Sequence, residues 1–321
     1  MGQDVLDQVR EACAAVAARA AHVRIAEKRV AEYAASLSLT ATDAPTLDPA
    51  HHYLGTPPET TAFVITLDTI NFGSGYFPHL RKLPGLSGYF TVATALTECF
   101  HRDGPFTALQ LARLTAADCA AVFGQDLANS PVAELMGLFT QALNDLGRYV
   151  GDRFDGDFIA LVESGAGSAA RLVEILGVMP FFQDVSTYCG QRVPLYKRAQ
   201  LTAADLALAL NGAGPGRFTD LNRLTIFSDN LVPHVLRVDG ILTYEPALAA
   251  RIDAGELIPA GSEDEVEIRA CAIHAVELMA MAVKDAGGDA TPMRLDYLLW
   301  NRGQQPSYKA LPRHRTRTVY Y

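Results

Sequence analysis

Positive charge is scarce in this chain and mostly scattered: 27 lysines and arginines face 36 aspartates and glutamates over 321 residues, a formal net charge of −9. A protein that follows a long nucleic-acid backbone needs a basic stripe, because neutralising phosphates supplies much of its affinity. Only Arg313-His314-Arg315-Thr316-Arg317 concentrates cations, which leaves room for a small anionic ligand but not for a polynucleotide track. Long apolar runs are missing too. The longest, Ala270 to Val283, is interrupted by His274 and Glu277. It falls short of the roughly 20 residues that cross a bilayer and predicts a core helix. The N-terminus has no apolar signal core. Cys13, Cys99, Cys119, Cys189 and Cys271 form no C-x-x-C pair, which predicts reduced, mostly buried thiols in a cytoplasmic protein. His51-His52 lacks a companion His or Cys motif and reads as a surface pair rather than a metal site.

Hydrophobic residues make up 49% and charged residues 20% of the chain, enough apolar material for a substantial core. Helical spacing dominates. Val5, Val9, Cys13, Val16, Ala20 and Val23 recur three and four apart and predict one long helix over 4–36. Ser38 to Pro58 reads as a surface loop. Pro57-Pro58-Glu59 then opens a helix over Thr60 to Ile70. Thr115 with Asp118 and Thr202 with Asp205 both match a capping box and predict two helix starts. Further helices are expected over 132–149, 167–176, 264–285 and 292–300. A hairpin is predicted within Val235 to Tyr244 around Asp239-Gly240, and Gly212 to Gly216 reads as a tight bend. The expectation is a mainly α fold, one domain over 1–321, with room for two helical lobes around a cleft.

Several short segments could carry chemistry. In Leu224-Thr225-Ile226-Phe227-Ser228-Asp229 a carboxylate closes an apolar run, just before Pro233. An Asp there is either a helix N-cap or an anion with a task. In Asp68-Thr69-Ile70-Asn71-Phe72-Gly73-Ser74-Gly75, Asn71 offers a donor and an acceptor and Phe72 a flat face, which suits a heterocyclic base. A glycine C-cap with a core Phe explains the same letters. Lys197 and Arg198 are adjacent on a helix, so at most one is expected to face a site while the other is solvated. Asp296 and Trp300 lie four apart on one helical face and could clamp a base or fill core. The basic segment is followed by Tyr320 and Tyr321, aromatic residues that predict a docked end.

These segments, in this order, resemble the queuosine salvage protein family. The resemblance rests on Asp68 to Gly75, Tyr196-Lys197-Arg198-Ala199-Gln200, Leu224 to Asp229, Asp296-Tyr297-Leu298-Leu299-Trp300 and His314 to Tyr321. The chain departs from the family pattern at Asn230-Leu231, where a Tyr-Arg-like pair is common, and at His234, where a Gln is. The resemblance implies a helical architecture related to helix–hairpin–helix DNA glycosylases. It also implies hydrolysis of the N-glycosidic bond of queuosine 5′-monophosphate, releasing queuine for transfer-RNA modification. It assigns catalysis to Asp229, without metal or dissociable cofactor. Asp68, Asn71, Phe72, Phe227, Asp296, Tyr297 and Trp300 are then candidates for holding the base and its surroundings. Lys197, His314 and Arg315 are candidates for the 5′-phosphate. The expected protein is a cytoplasmic monomer with no long nucleic acid and no membrane partner. Two alternatives stay open at this point: a non-enzymatic queuine- or nucleotide-binding protein, and a glycosylase for another ribonucleotide or a damaged base.

Overall fold

The computed structural model describes residues 4–37 and 46–321. The part of the expected loop at 38–45 lies outside the described residues, and 46–56 is irregular. In chain order the elements are α1 (Val5–Ala17), β1 (Val23–Ile25), α2 (Glu27–Ser36), α3 (Pro57–Thr69), α4 (Gly88–Asp103), α5 (Ala108–Leu111), α6 (Ala116–Val122) and α7 (Ser130–Phe154). There follow α8 (Phe158–Glu163), α9 (Ala169–Leu176), β2 (Val185–Tyr188), β3 (Gln191–Pro194), α10 (Lys197–Ala209) and α11 (Val232–Val238). The chain ends with β4 (Leu242–Tyr244), α12 (Pro246–Asp253), α13 (Glu263–Asp285), α14 (Pro292–Gly303) and α15 (Pro306–Lys309). The fold is mainly α, with two antiparallel two-stranded sheets among the described residues, β1–β4 and β2–β3. No described helix is long and apolar enough to cross a membrane.

Chain contacts divide the protein into two compact units. Unit 1 comprises 1–45, 184–197 and 220–317; unit 2 comprises 46–183, 198–219 and 318–321. In unit 1, α13 is the central helix, buried from Glu265 through Ile273, and α1 and α2 pack on it. The sequence pattern read 4–36 as one helix; the structure breaks it after Ala17. The cause lies far away in sequence. The buried Glu267 carboxylate accepts hydrogen bonds from the N–H groups of Ala21 (3.0 Å), His22 (2.7 Å) and Val23 (2.9 Å). Three backbone donors on one buried anion compete well against helix continuation, and they set Val23–Ile25 against β4.

The hairpin expected around Asp239-Gly240 is also corrected. Val232–Val238 is helical, and Asp239 closes that helix rather than a β-turn. Its carboxylate accepts from Tyr33 (2.5 Å), Tyr308 (2.7 Å) and Arg302 (3.2 Å), drawing this corner towards α2, α14 and α15. The true hairpin is β2–β3, turning at Cys189-Gly190. Both turn residues have positive φ, 48° and 76°, as a type I′ turn requires. Cys189 is exposed there, while Cys13, Cys99, Cys119 and Cys271 are buried free thiols.

Unit 2 surrounds α3, whose residues Thr60 to Thr69 are all buried. The capping box at Thr115 and Asp118 starts α6 as expected. Thr202 does not start a helix, because α10 already begins at Lys197. The Thr202 hydroxyl instead donates back to the Arg198 carbonyl at 2.9 Å, the alternative use of Thr inside a helix. The expected helices at 132–149 and 167–176 form as α7 and α9, and those at 264–285 and 292–300 as α13 and α14. His52, read as a surface residue, is buried: its ring bonds the Tyr89 hydroxyl at 2.9 Å and the Asp48 carbonyl at 3.1 Å.

Candidate active site

In unit 1 the apolar run Leu224 to Phe227 is buried and delivers Asp229 to the start of α11. The Asp229 Oδ1 accepts from the N–H groups of Leu231 (2.6 Å) and Val232 (3.4 Å), so it fastens the chain entering α11 from just ahead of the Leu231 N-cap position. Both bonds use one oxygen and fix the carboxylate's orientation. Asp229 itself is half-buried.

Asp296, on α14, comes to the same place. It is 4% exposed, and its Oδ1 accepts from the Phe227 N–H at 2.8 Å. Burial pushes its carboxyl up to about 7; the nearby Asp229 charge adds to the rise, while the Phe227 N–H and the Lys197 ammonium oppose it. Two carboxylates that feel one another do not ionise together. Asp296 therefore holds a proton well above the range of a free carboxylate. The Phe227 ring stands nearly edge-on to Tyr297, centroids 6.1 Å apart. Trp300, one turn beyond Asp296, is half-buried.

Lys197 and Arg198 depart from the expected solvated-and-facing arrangement: both are buried, at 6% and 1% exposure. Lys197 belongs to unit 1, where its charge acts on Asp296. The basic tail is used differently from its letters. The buried His314 imidazole is pushed down to about 3 by desolvation and by Arg269 and Arg313, so it is neutral at physiological pH. The Arg315 guanidinium donates to the Gly255 carbonyl, and the Arg315 carbonyl accepts from Ile258 N–H at 2.8 Å. Arg313, which the sequence reading did not single out, is the tail cation that feels Asp229. Asn230 donates to the His314 carbonyl at 3.2 Å, and His234 bonds the Tyr308 carbonyl at 2.9 Å. The departures from the family pattern are therefore built into the packing around Asp229.

Asp68, Asn71 and Phe72 belong to unit 2. Asp68 is 1% exposed, at the last turn of α3. Phe72 packs edge-on to Phe139 at 5.1 Å. The buried Arg198 guanidinium lies between Phe72 and Phe182, 5.0 and 4.8 Å from the ring centroids. It donates to the carbonyls of Asp68 (2.9 Å), Thr69 (2.5 Å) and Val319 (2.7 Å), and to that of Phe181. A guanidinium at the C-terminal end of α3 satisfies carbonyls that the helix leaves open. The docked end is confirmed within this unit: Tyr321 is buried and its carbonyl accepts from Gly73 N–H at 3.0 Å.

Gly73 has φ +107°, and a Cβ there would meet Leu135 Cδ1 at 2.7 Å. Gly73→Ala is therefore expected to cost about 2 kcal/mol, from a backbone conformation reserved for glycine and from overpacking. A thermal midpoint lowered by a few degrees would show it; an unchanged midpoint would contradict it.

Among the described residues no group of three or more His, Cys, Asp or Glu side chains is placed to hold a metal ion. In unit 1 the Asp229 and Asp296 carboxyls come together, with the Lys197 charge acting on Asp296 and Arg313 feeling Asp229. A family model described as queuosine salvage protein matches residues 51–321. A protein of Sphaerobacter thermophilus named queuosine 5′-phosphate N-glycosylase/hydrolase is 36% identical over 95% of both chains. Proteins with the same name from Dictyostelium discoideum and Mus musculus are each 32% identical, covering 82% and 73% of this chain and 78% and 72% of their own.

Proposed function

The chain belongs to the queuosine salvage protein family, and from that membership we propose that it hydrolyses the N-glycosidic bond of queuosine 5′-monophosphate. The products are queuine, available for transfer-RNA modification, and ribose 5-phosphate. The observation that carries the mechanism is the buried Asp296 carboxyl, pushed up to about 7 beside Asp229, since a displaced titratable group next to a second carboxyl marks a candidate acid.

Breaking a base–ribose bond builds positive charge at the anomeric carbon. The Asp229 side chain, aimed by the N–H groups of Leu231 and Val232, stabilises that charge and orients the attacking water. The leaving base is a 7-deazapurine, with carbon where a purine has N7, so protonation at N7 is closed to it. Asp296, which keeps its proton to about pH 7, donates to the heterocycle as the base departs. Phe227 and Tyr297 flank these carboxyls, with Trp300 on the same helix as Asp296. Lys197 and Arg313 supply the cations for the 5′-phosphate. His314 and Arg315 support the tail that carries Arg313. Asp68, Asn71 and Phe72 remain candidates for base recognition from the family resemblance.

The net charge of −9 favours a free nucleotide over a polynucleotide, and we place the enzyme in the cytoplasm as a monomer. The test is mass spectrometry of the products from queuosine and from its 5′-monophosphate. Queuine and ribose 5-phosphate in equal amounts are expected from the nucleotide. Stoichiometric binding of queuine without ribose 5-phosphate would instead mark a carrier.

A further inference from the structure

Bonded to the residue before Asp229 is a buried charged cluster that the mechanism does not use. Arg269, on α13, is 1% exposed. Its guanidinium grips Asp184 with two parallel bonds, Nη1 to Oδ1 at 3.0 Å and Nη2 to Oδ2 at 2.6 Å. Nη1 also reaches Glu265 at 3.3 Å. Nε bonds the Ser228 carbonyl at 3.0 Å, and the Ser228 hydroxyl returns a bond to the Arg269 carbonyl at 3.1 Å. Ser228 immediately precedes Asp229.

The other end of the pair reaches Lys197. The Asp184 carboxylate accepts from Lys197 N–H at 3.0 Å, while the Asp184 carbonyl accepts from Leu195 N–H (2.9 Å) and Tyr196 N–H (3.2 Å). Three successive backbone donors thus converge on one residue. Between them Tyr196 is held at φ +48°, a left-handed conformation that costs a bulky side chain energy and persists only where the surroundings enforce it.

We propose that Arg269 and Asp184 are positioning residues for the glycosidic hydrolysis, one guanidinium–carboxylate pair that sets Asp229 and Lys197 in a common frame. The proposal rests on the reading of Asp229 as the reacting carboxylate. A buried ion pair is a poor device for stability alone, because desolvation offsets most of the attraction. Its planar fork, however, fixes direction: two donors are spent on Asp184 and a third is aimed at Ser228. Lysine, a point charge, cannot hold all three.

The experiment is Arg269→Lys in the full chain, assayed on queuosine 5′-monophosphate across pH, with circular dichroism to check folding. A displaced Asp229 is expected to lower kcat roughly 10- to 100-fold. It also relieves Asp296 of a neighbouring negative charge, so the fall in activity near pH 7 moves to lower pH. A role in folding alone would lower the thermal midpoint and leave the pH profile in place. Wild-type kcat with an unmoved profile overturns the proposal, whatever the midpoint does. Should Arg269→Lys not fold, Asp184→Asn takes its place. It is expected to raise KM roughly tenfold by loosening Lys197, and wild-type kcat and KM there overturn the proposal equally. Failure of the underlying function would be seen separately, in a wild-type enzyme that releases no queuine.

Discussion

Asp229→Asn is expected to lower queuine release by a factor on the order of a thousand or more, about 4 kcal/mol of lost transition-state stabilisation. The fold should be untouched. Asparagine keeps an oxygen where Oδ1 now accepts from Leu231 and Val232, and Asn accepts such bonds at a helix start as well as Asp does. The variant therefore removes charge while preserving geometry, which separates the two roles of the side chain. Were Asp229 only a fastening for the start of α11, kcat and the thermal midpoint would both stay near wild type. If it is the anion beneath the sugar, kcat collapses while the midpoint holds. The Asp229 charge also raises the Asp296 carboxyl, so residual activity in the variant should show its pH limb displaced toward acid. Asp229→Ala makes a less clean comparison, since it removes these bonds as well and costs about 1 kcal/mol of stability.

What could be read from the letters was local. Helix starts announced by Pro57-Pro58 and by Thr115 with Asp118 use bonds that span three or four residues, and they form as expected. The bonds that Asp229 accepts from Leu231 and Val232, two and three residues on, are equally local. The failures share a cause in long-range polar contacts. Glu267 breaks the first predicted helix from a sequence distance of 246 residues. Asp239-Gly240 has good hairpin letters, yet Tyr33 and Tyr308 claim the Asp carboxylate from 206 and 69 residues away. Cys189-Gly190 has weak letters but the required positive φ values. Arg269 hides within a helical run as an ordinary cation, and nothing local marks it as buried against Asp184, 85 residues earlier. In the tail, the family resemblance offers His314 and Arg315 for a phosphate, beside Lys197 from α10. Burial instead neutralises His314, a carbonyl engages Arg315, and Arg313 remains beside Asp229.

Asp296→Asn should act in the opposite way on activity and stability, and the sign of each follows from one displaced titration. In the folded protein the Asp296 carboxyl is raised from 3.8 to about 7. It therefore binds a proton throughout the range in which the unfolded chain has already lost it. A group raised in this way supports the fold most at low pH, and that support is lost as pH rises through about 7. Asparagine cannot ionise and escapes this loss. The variant should gain stability relative to wild type as pH climbs from about 4 to 8, seen as a widening gap between the two thermal midpoints. The Phe227 N–H keeps an oxygen acceptor, so the loop before Asp229 stays in register. Activity moves the other way. Without a proton to give, release of the deazapurine should slow by about 100-fold or more, the usual range for a lost general acid. Wild-type kcat should be flat below pH 7 and fall above it, and in the variant that limb should vanish. A variant that kept wild-type kcat and the limb would assign the proton to another group. A buried carboxyl that weakens the fold near neutral pH, and is needed for turnover there, is the stability–activity conflict expected of a working acid.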